Sequence, residues 1–187
     1  MSFRILIADD EPLIRIDLRE SLEGLGYKVV GEARDGKEAL DLIGRIHPDV
    51  AILDIKMPQM DGITVAKKVA SRLPVILLTA YSDKNLIKGA REAGVMAYLT
   101  KPFREKDLTP AIELAIRHFL EESSLNERVK QLSEQLETRK LVERAKGLLM
   151  KAHNLSEGEA YRRIQQMSMK KNKPMKEVAE AVILMLE

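Results

Sequence analysis

Five side chains in this sequence are spaced so that they could act together: Asp9, Asp10, Asp54, Thr79 and Lys101. Each closes or directly follows a short apolar run. Phe3 to Ala8 precedes Asp9 and Asp10, Val50 to Leu53 precedes Asp54, Val75 to Leu78 precedes Thr79, and Met96 to Thr100 precedes Lys101. Val50 to Leu53 is unbroken, the mark of a strand buried on both faces of a parallel sheet. The carboxyl ends of such strands form the edge where open α/β sheets hold their ligands. Three carboxylates gathered there repel one another unless a cation intervenes. An all-oxygen set with few protein ligands suits Mg²⁺, which keeps several waters and also binds phosphoryl oxygens. Lys101 adds a compact positive charge and Thr79 a short hydroxyl. Singly, each has a plainer role: Asp9 and Asp10 as helix-capping acids, Asp54 as a strand end, Lys101 as a solvated charge. Their convergence favours the chemical reading. Asp41, Asp49 and Asp61 read as cap, loop and turn residues.

The elements that position these residues follow from pattern. Pro12 suits the first turn of a helix in which Leu13, Ile16, Leu18, Leu22 and Leu25 recur at roughly helical spacing, closed by Gly24 and Gly26. Tyr27 to Ala33 reads as a second strand and Lys37 to Ile46 as a helix. Gly62 to Ser71 is a further helix, and Asp83 can N-cap one that Gly94 ends. Strand and helix thus alternate five times within about 120 residues, which implies a parallel sheet with helices on both faces. The chain has 187 residues, 45% hydrophobic and 32% charged, enough for one or two domains with a proper core. With no cysteine, disulfides and thiolate metal sites are excluded. No apolar run approaches a membrane span and no leader is legible, so a cytoplasmic protein is expected. A Gly-rich phosphate loop is missing, so ATP binding is not expected.

Residues 1 to about 120 resemble the receiver domain of two-component response regulators. The resemblance is carried by Asp9-Asp10, Asp54 with Met57-Pro58 and Asp61-Gly62, Thr79-Ala80 and Lys101-Pro102-Phe103. It implies a flavodoxin-like sheet of order 2-1-3-4-5. It also implies that Asp54 accepts a phosphoryl group from a sensor histidine kinase. Asp10, Asp54 and the backbone carbonyl of Lys56 would hold Mg²⁺, with Asp9 assisting. Lys101 would pair with the phosphoryl group and Thr79 would swing to bond it. Tyr98 would follow as a rotating switch, the alternative being an edge aromatic covering the core, and the Lys101-Pro102 peptide would be cis. No catalysis on an outside substrate is expected.

Beyond Phe103 the pattern is helical. Leu108, Ile112, Ala115, Ile116 and Phe119 form a stripe, and Leu125, Val129, Leu132 and Leu136 follow the 4-3-4 spacing of a coiled-coil seam. Glu121 to Ser124 breaks the phase, as a hinge or a stutter within one helix. Residues 121–138 read as a helical linker, and 139–187 as a small all-α domain of three helices. Charge divides the same way: residues 139–187 hold 11 Lys/Arg against 6 Asp/Glu, and the first 138 hold 20 against 23. A basic tail on an acidic front implies two modules with different partners.

The tail resembles the ANTAR domain, an RNA-binding module of transcription antiterminators. The residues that carry this are Glu143-Arg144-Ala145-Lys146-Gly147-Leu148-Leu149-Met150, Leu155-Ser156-Glu157, Glu159-Ala160-Tyr161 and Lys176-Glu177-Val178-Ala179. The pattern departs from the family at Gln165, where many members have arginine, and at Gly158, where a helix former is usual. Arg139, Arg144, Lys146, Arg162, Arg163, Lys170, Lys171 and Lys173 are candidate phosphate contacts. Tyr161 is a candidate to stack on an unpaired base or to pack between helices, and Ala145 and Gly147 are expected to allow close helix packing. The expectation is a phosphorylation-controlled antiterminator that binds RNA hairpins as a phosphorylation-dependent homodimer. A DNA-binding module and a protein-interaction bundle are the alternatives.

Overall fold

The computed structural model describes residues 2–80, 95 and 97–187. The chain divides into two compact units, Met1–Ser123 and Ser124–Glu187. The helix expected after Asp83 lies outside the described residues.

The first unit contains β1 (Arg4–Ala8), α1 (Pro12–Gly24), β2 (Lys28–Ala33), α2 (Gly36–Ile46), β3 (Val50–Asp54), α3 (Gly62–Val69), β4 (Val75–Ala80), β5 (Ala97–Lys101) and the start of α4 (Glu105–His153). All strand pairs are parallel, in the order β2-β1-β3-β4-β5, as the resemblance implied. The order reverses at β1, which lies between β2 and β3, so a crevice opens where β1 meets β3. Successive side chains point to opposite faces, and both faces are covered, so β3 is buried along its whole length. Leu6, Ala51, Leu53 and Leu77 pack with Ala39 and Ile43 of α2 and Val65 and Val69 of α3. Ile5, Ile7, Ile52, Ile76 and Leu78 pack on the other face with Leu18, Leu22, Leu108 and Ile112. Each such leucine, isoleucine or valine, removed from water, contributes about 1.5–3 kcal/mol.

The apolar residues of α1 do not form one stripe. Leu18 and Leu22 are sealed, whereas Leu13 is 80% and Ile16 52% exposed. Two residues apart on a helix is about 200° of rotation, so Ile16 and Leu18 necessarily face opposite ways.

In the second unit, α4 continues to His153, and α5 (Glu157–Lys171) and α6 (Met175–Leu186) follow. Helix α4 is continuous through Glu121 to Ser124, so the phase break does not end the helix. Ser156 caps α5 in a reciprocal capping box with Glu159, worth about 1 kcal/mol. Asn172 ends that helix in the left-handed conformation at φ 51°. Val142, Ala145, Leu149, Ala160, Ile164, Val178, Val182 and Ile183 form the core. Ala145 is fully buried as expected. Gly147 is not a close-packing site, since a Cβ there would meet nothing within 4 Å. Leu125, Val129, Leu132 and Leu136 are 55–65% exposed, an apolar stripe left open by this unit. No helix among the described residues is long and apolar enough to cross a membrane.

Candidate functional site

Strand register builds the site. Ala8 pairs with Leu53 across β1 and β3, which brings Asp9 beside Asp54. Thr79 pairs with Thr100 and Ala80 with Lys101 across β4 and β5, so Lys101 closes β5 rather than following it. Its ammonium lies 2.6 Å from Asp9 Oδ2 and 2.6 Å from Asp54 Oδ1, with Glu11 Oε1 at 3.8 Å. The cation that the sequence reasoning required among these carboxylates is thus supplied in part by the chain itself.

The remaining contacts hold each oxygen in place. Asp54 Oδ2 accepts the Lys56 amide at 2.7 Å, and Asp9 Oδ1 accepts the Glu11 amide at 2.9 Å. Asp9 is fully buried, and the Lys101 ammonium is the partner that its Oδ2 meets. Burial pushes the Asp54 carboxyl above the ordinary carboxylate value, against the pull of the hydrogen bond and charge of Lys101. Burial would lower Lys101, but its bonds to Asp54 and Asp9 outweigh that and raise it. The loop after β3 folds tightly under the site. A Cβ on Gly62 would lie 2.1 Å from the Asp54 carbonyl oxygen, so only glycine fits there. Asp61, read as a turn residue, caps α3 through Thr64.

Thr79 is buried and donates its hydroxyl to the Ala80 carbonyl at 3.1 Å. Tyr98 is 54% exposed on β5, and the Lys101-Pro102 bond is cis. Asp10 is exposed. No three acids or histidines among the described residues already converge as metal ligands. The donor set nevertheless fits a divalent cation. One ammonium faces Asp9, Asp54 and Glu11, so three carboxylates share a single positive charge. Sequence reasoning missed Arg15, which donates to the Asp9 carbonyl at 2.7 Å and pairs with Glu32 of β2 at 3.7 Å. No periodicity singles it out, because its partners are distant in sequence.

The second unit sorts its basic residues into two sets. Lys146 is buried, with its ammonium 2.7 Å from Glu143 and 2.7 Å from Glu157. Arg144 bonds Glu187, Lys173 bonds Glu177 and Lys176 bonds Glu137. Arg162, Arg163, Lys170 and Lys171 of α5 and Arg139 of α4 are exposed and carry no such acid partner among the described residues. Tyr161 is 44% exposed.

Comparison with known proteins matches this division. Residues 5–113 match the family described as the response regulator receiver domain, and residues 130–183 match the ANTAR domain. The transcriptional regulatory protein PdtaR of Mycobacterium tuberculosis is 52% identical over 182 residues, covering 96% of this chain and 89% of that protein. A receiver domain of a modulated diguanylate cyclase from Desulfovibrio desulfuricans is similar at a TM-score of 0.61 and 33% identity, covering 65% of this chain and 99% of that one. The receiver domain of the response regulator NarL from Mycobacterium tuberculosis is similar at 0.54 and 33% identity, covering 66% of this chain and 97% of that one.

Proposed function

This chain belongs to the response regulators that join a receiver domain to an ANTAR domain, and we propose on that premise that phosphorylation of Asp54 controls an RNA-binding, antiterminating output. The observation that carries the receiver half is the Lys101 ammonium set 2.6 Å from both Asp9 and Asp54 at the edge of the sheet. An Asp54 oxygen attacks the phosphorus of a phosphohistidine on a sensor kinase. The O–P bond forms as the N–P bond breaks, and the histidine nitrogen leaves. Both Asp54 oxygens are engaged at rest, one by Lys101 and one by the Lys56 amide. The attacking oxygen must therefore loosen one of these contacts, and Lys101 can then pair with the incoming phosphoryl oxygens.

Asp10, Asp54 and the Lys56 backbone carbonyl, with Asp9 assisting, would hold Mg²⁺, which neutralises phosphoryl charge when bound. Thr79, now turned to the Ala80 carbonyl, offers its hydroxyl to the phosphoryl group, and Tyr98 follows as the switch. The chemistry is confined to the chain's own carboxylate, with no outside substrate. The output half is supported by the ANTAR match and by the uncommitted cations of α5. Two chains joined along Leu125, Val129, Leu132 and Leu136 would present two RNA contacts, and avidity would follow from effective concentration.

Labelling with a small phosphodonor in Mg²⁺ tests the acceptor. The parent protein takes up one phosphoryl group and Asp54→Asn takes up none, because the amide cannot form the acyl phosphate. Full labelling of the variant would sink the assignment.

A further inference from the structure

At Asp9 the backbone of β1 leaves the sheet. The strand pairs end at Ala8, matched with Ala33 of β2 on one side and Leu53 of β3 on the other. The Asp9 amide still donates to the Ala33 carbonyl at 3.1 Å, but the Asp9 carbonyl accepts Arg15 Nη1 at 2.7 Å instead of a strand amide. We propose that Arg15 is a positioning residue for the phosphoryl site, holding the Asp9-Asp10 peptide so that Asp10 meets the divalent cation. This rests on the Mg²⁺-assisted phosphorylation of Asp54 above and adds the group that aims one of the metal ligands.

Three features carry the inference. First, a peptide unit is planar, so a bond at the Asp9 carbonyl oxygen fixes the plane that ends at the Asp10 Cα. The Asp9 carboxylate has anchors of its own, the Glu11 amide on Oδ1 and Lys101 on Oδ2. Asp10 is exposed, and the direction in which it leaves the chain is set by the backbone that carries it. Second, the arginine is itself held. Its side chain is only 18% exposed, and its Nε lies 3.7 Å from Glu32 Oε2. Glu32 pairs with Ile7 in the β1–β2 ladder, so the acid that orients Arg15 belongs to the same sheet as Asp9. Third, a mere tie between α1 and β2 does not need Arg15, because Arg19 of α1 also pairs with Glu32. What Arg15 alone adds is the reach to the Asp9 carbonyl, a short bond from a charged donor. Metal ligands are commonly aimed by such outer partners.

The charge of Arg15 makes the sign of the test decisive. A bystander guanidinium repels a nearby cation, so its removal tightens cation binding. Removal of a positioning guanidinium weakens it. Mn²⁺ is the probe, added to the full-length protein without any phosphodonor, and the free ion is read by paramagnetic resonance. The expected result is that Arg15→Met, which keeps most of the apolar stem, raises the Mn²⁺ dissociation constant at least about ten-fold. Arg15→Lys, which keeps a charged donor, recovers most of that loss. Circular dichroism without the cation checks each fold, and Arg15→Leu stands in for Arg15→Met should that variant not fold. Unchanged or tighter Mn²⁺ binding by Arg15→Met overturns the proposal, as does Arg15→Lys binding no better than Arg15→Met. A parent that binds no Mn²⁺, or whose binding Asp10→Asn leaves unchanged, overturns the cation site itself, which separates the two failures.

Discussion

Each unit of this protein holds one largely shielded lysine between two acids, and the two arrangements differ in who hides whom. Lys101 lies between Asp9 and Asp54, which are themselves buried at 0% and 6% exposure. Lys146 is also buried, but Glu143 and Glu157 reach it from the surface, with side chains 56% and 72% exposed. In the first case the two acids are shielded from the water that could replace the ammonium, so the charges depend on each other. In the second, water can hydrate both carboxylates if the lysine is lost. Apolar surface divides less cleanly: both units seal a core, the receiver leaves Leu13 and Ile16 outward, and the second unit leaves the Leu125, Val129, Leu132 and Leu136 stripe open. Shielded acids suit chemistry on the chain's own side chain, and an open helical stripe suits contact with other molecules.

The strongest way to break this contrast is Lys101→Ala. Removing one partner of a buried pair leaves charge without compensation, and about 3 kcal/mol of stability should go. Saturating Mg²⁺ should return part of it, as seen in denaturant titrations with and without the ion. If Lys146→Gln costs as much, the distinction between buried and exposed acids fails. The unsealed acids of Lys146 predict a clearly smaller loss.

The burial of Asp54 can be read through pH. Its raised pKa means the folded state holds that proton more tightly than the unfolded chain does. The stability this gives is complete below the ordinary carboxylate value and is lost as pH rises through the raised one. Asp54→Asn does not titrate, so its stability relative to the parent should increase from acid to neutral pH. An advantage that shrinks over that range would contradict the burial argument.

On the open side, Val129→Lys should change the stability of the single chain by no more than about 0.5 kcal/mol, because Val129 is exposed. It should nevertheless abolish a beryllofluoride-induced dimer in sedimentation while leaving phosphorylation intact. A dimer that persists would place the interface elsewhere. The smallest effect separates the two sets of basic residues. Arg163→Ala should lower the salt slope of hairpin binding by about 1, as expected for one lost phosphate contact. Lys146→Gln should leave the slope unchanged, since its ammonium is already neutralised within the unit.

What the sequence determined by itself is the order and type of the elements and the identity of the residues at the sheet edge. Apolar runs, turn residues and the Ser156 to Glu159 capping box are local signals, and local signals survive without coordinates. The five polar positions were legible because a parallel strand delivers whatever follows it to one edge. The tertiary structure decided how charges and faces pair. It put Lys101 between Asp9 and Asp54, drew Arg15 onto the Asp9 carbonyl, and committed Arg144, Lys146 and Lys173 to acids of their own unit. It also turned Leu13 and Ile16 outward and left Gly147 facing open space. These outcomes depend on residues far apart in the chain meeting at distances of a few ångströms. Periodicity can name the face a side chain lies on, but not the partner that reaches it.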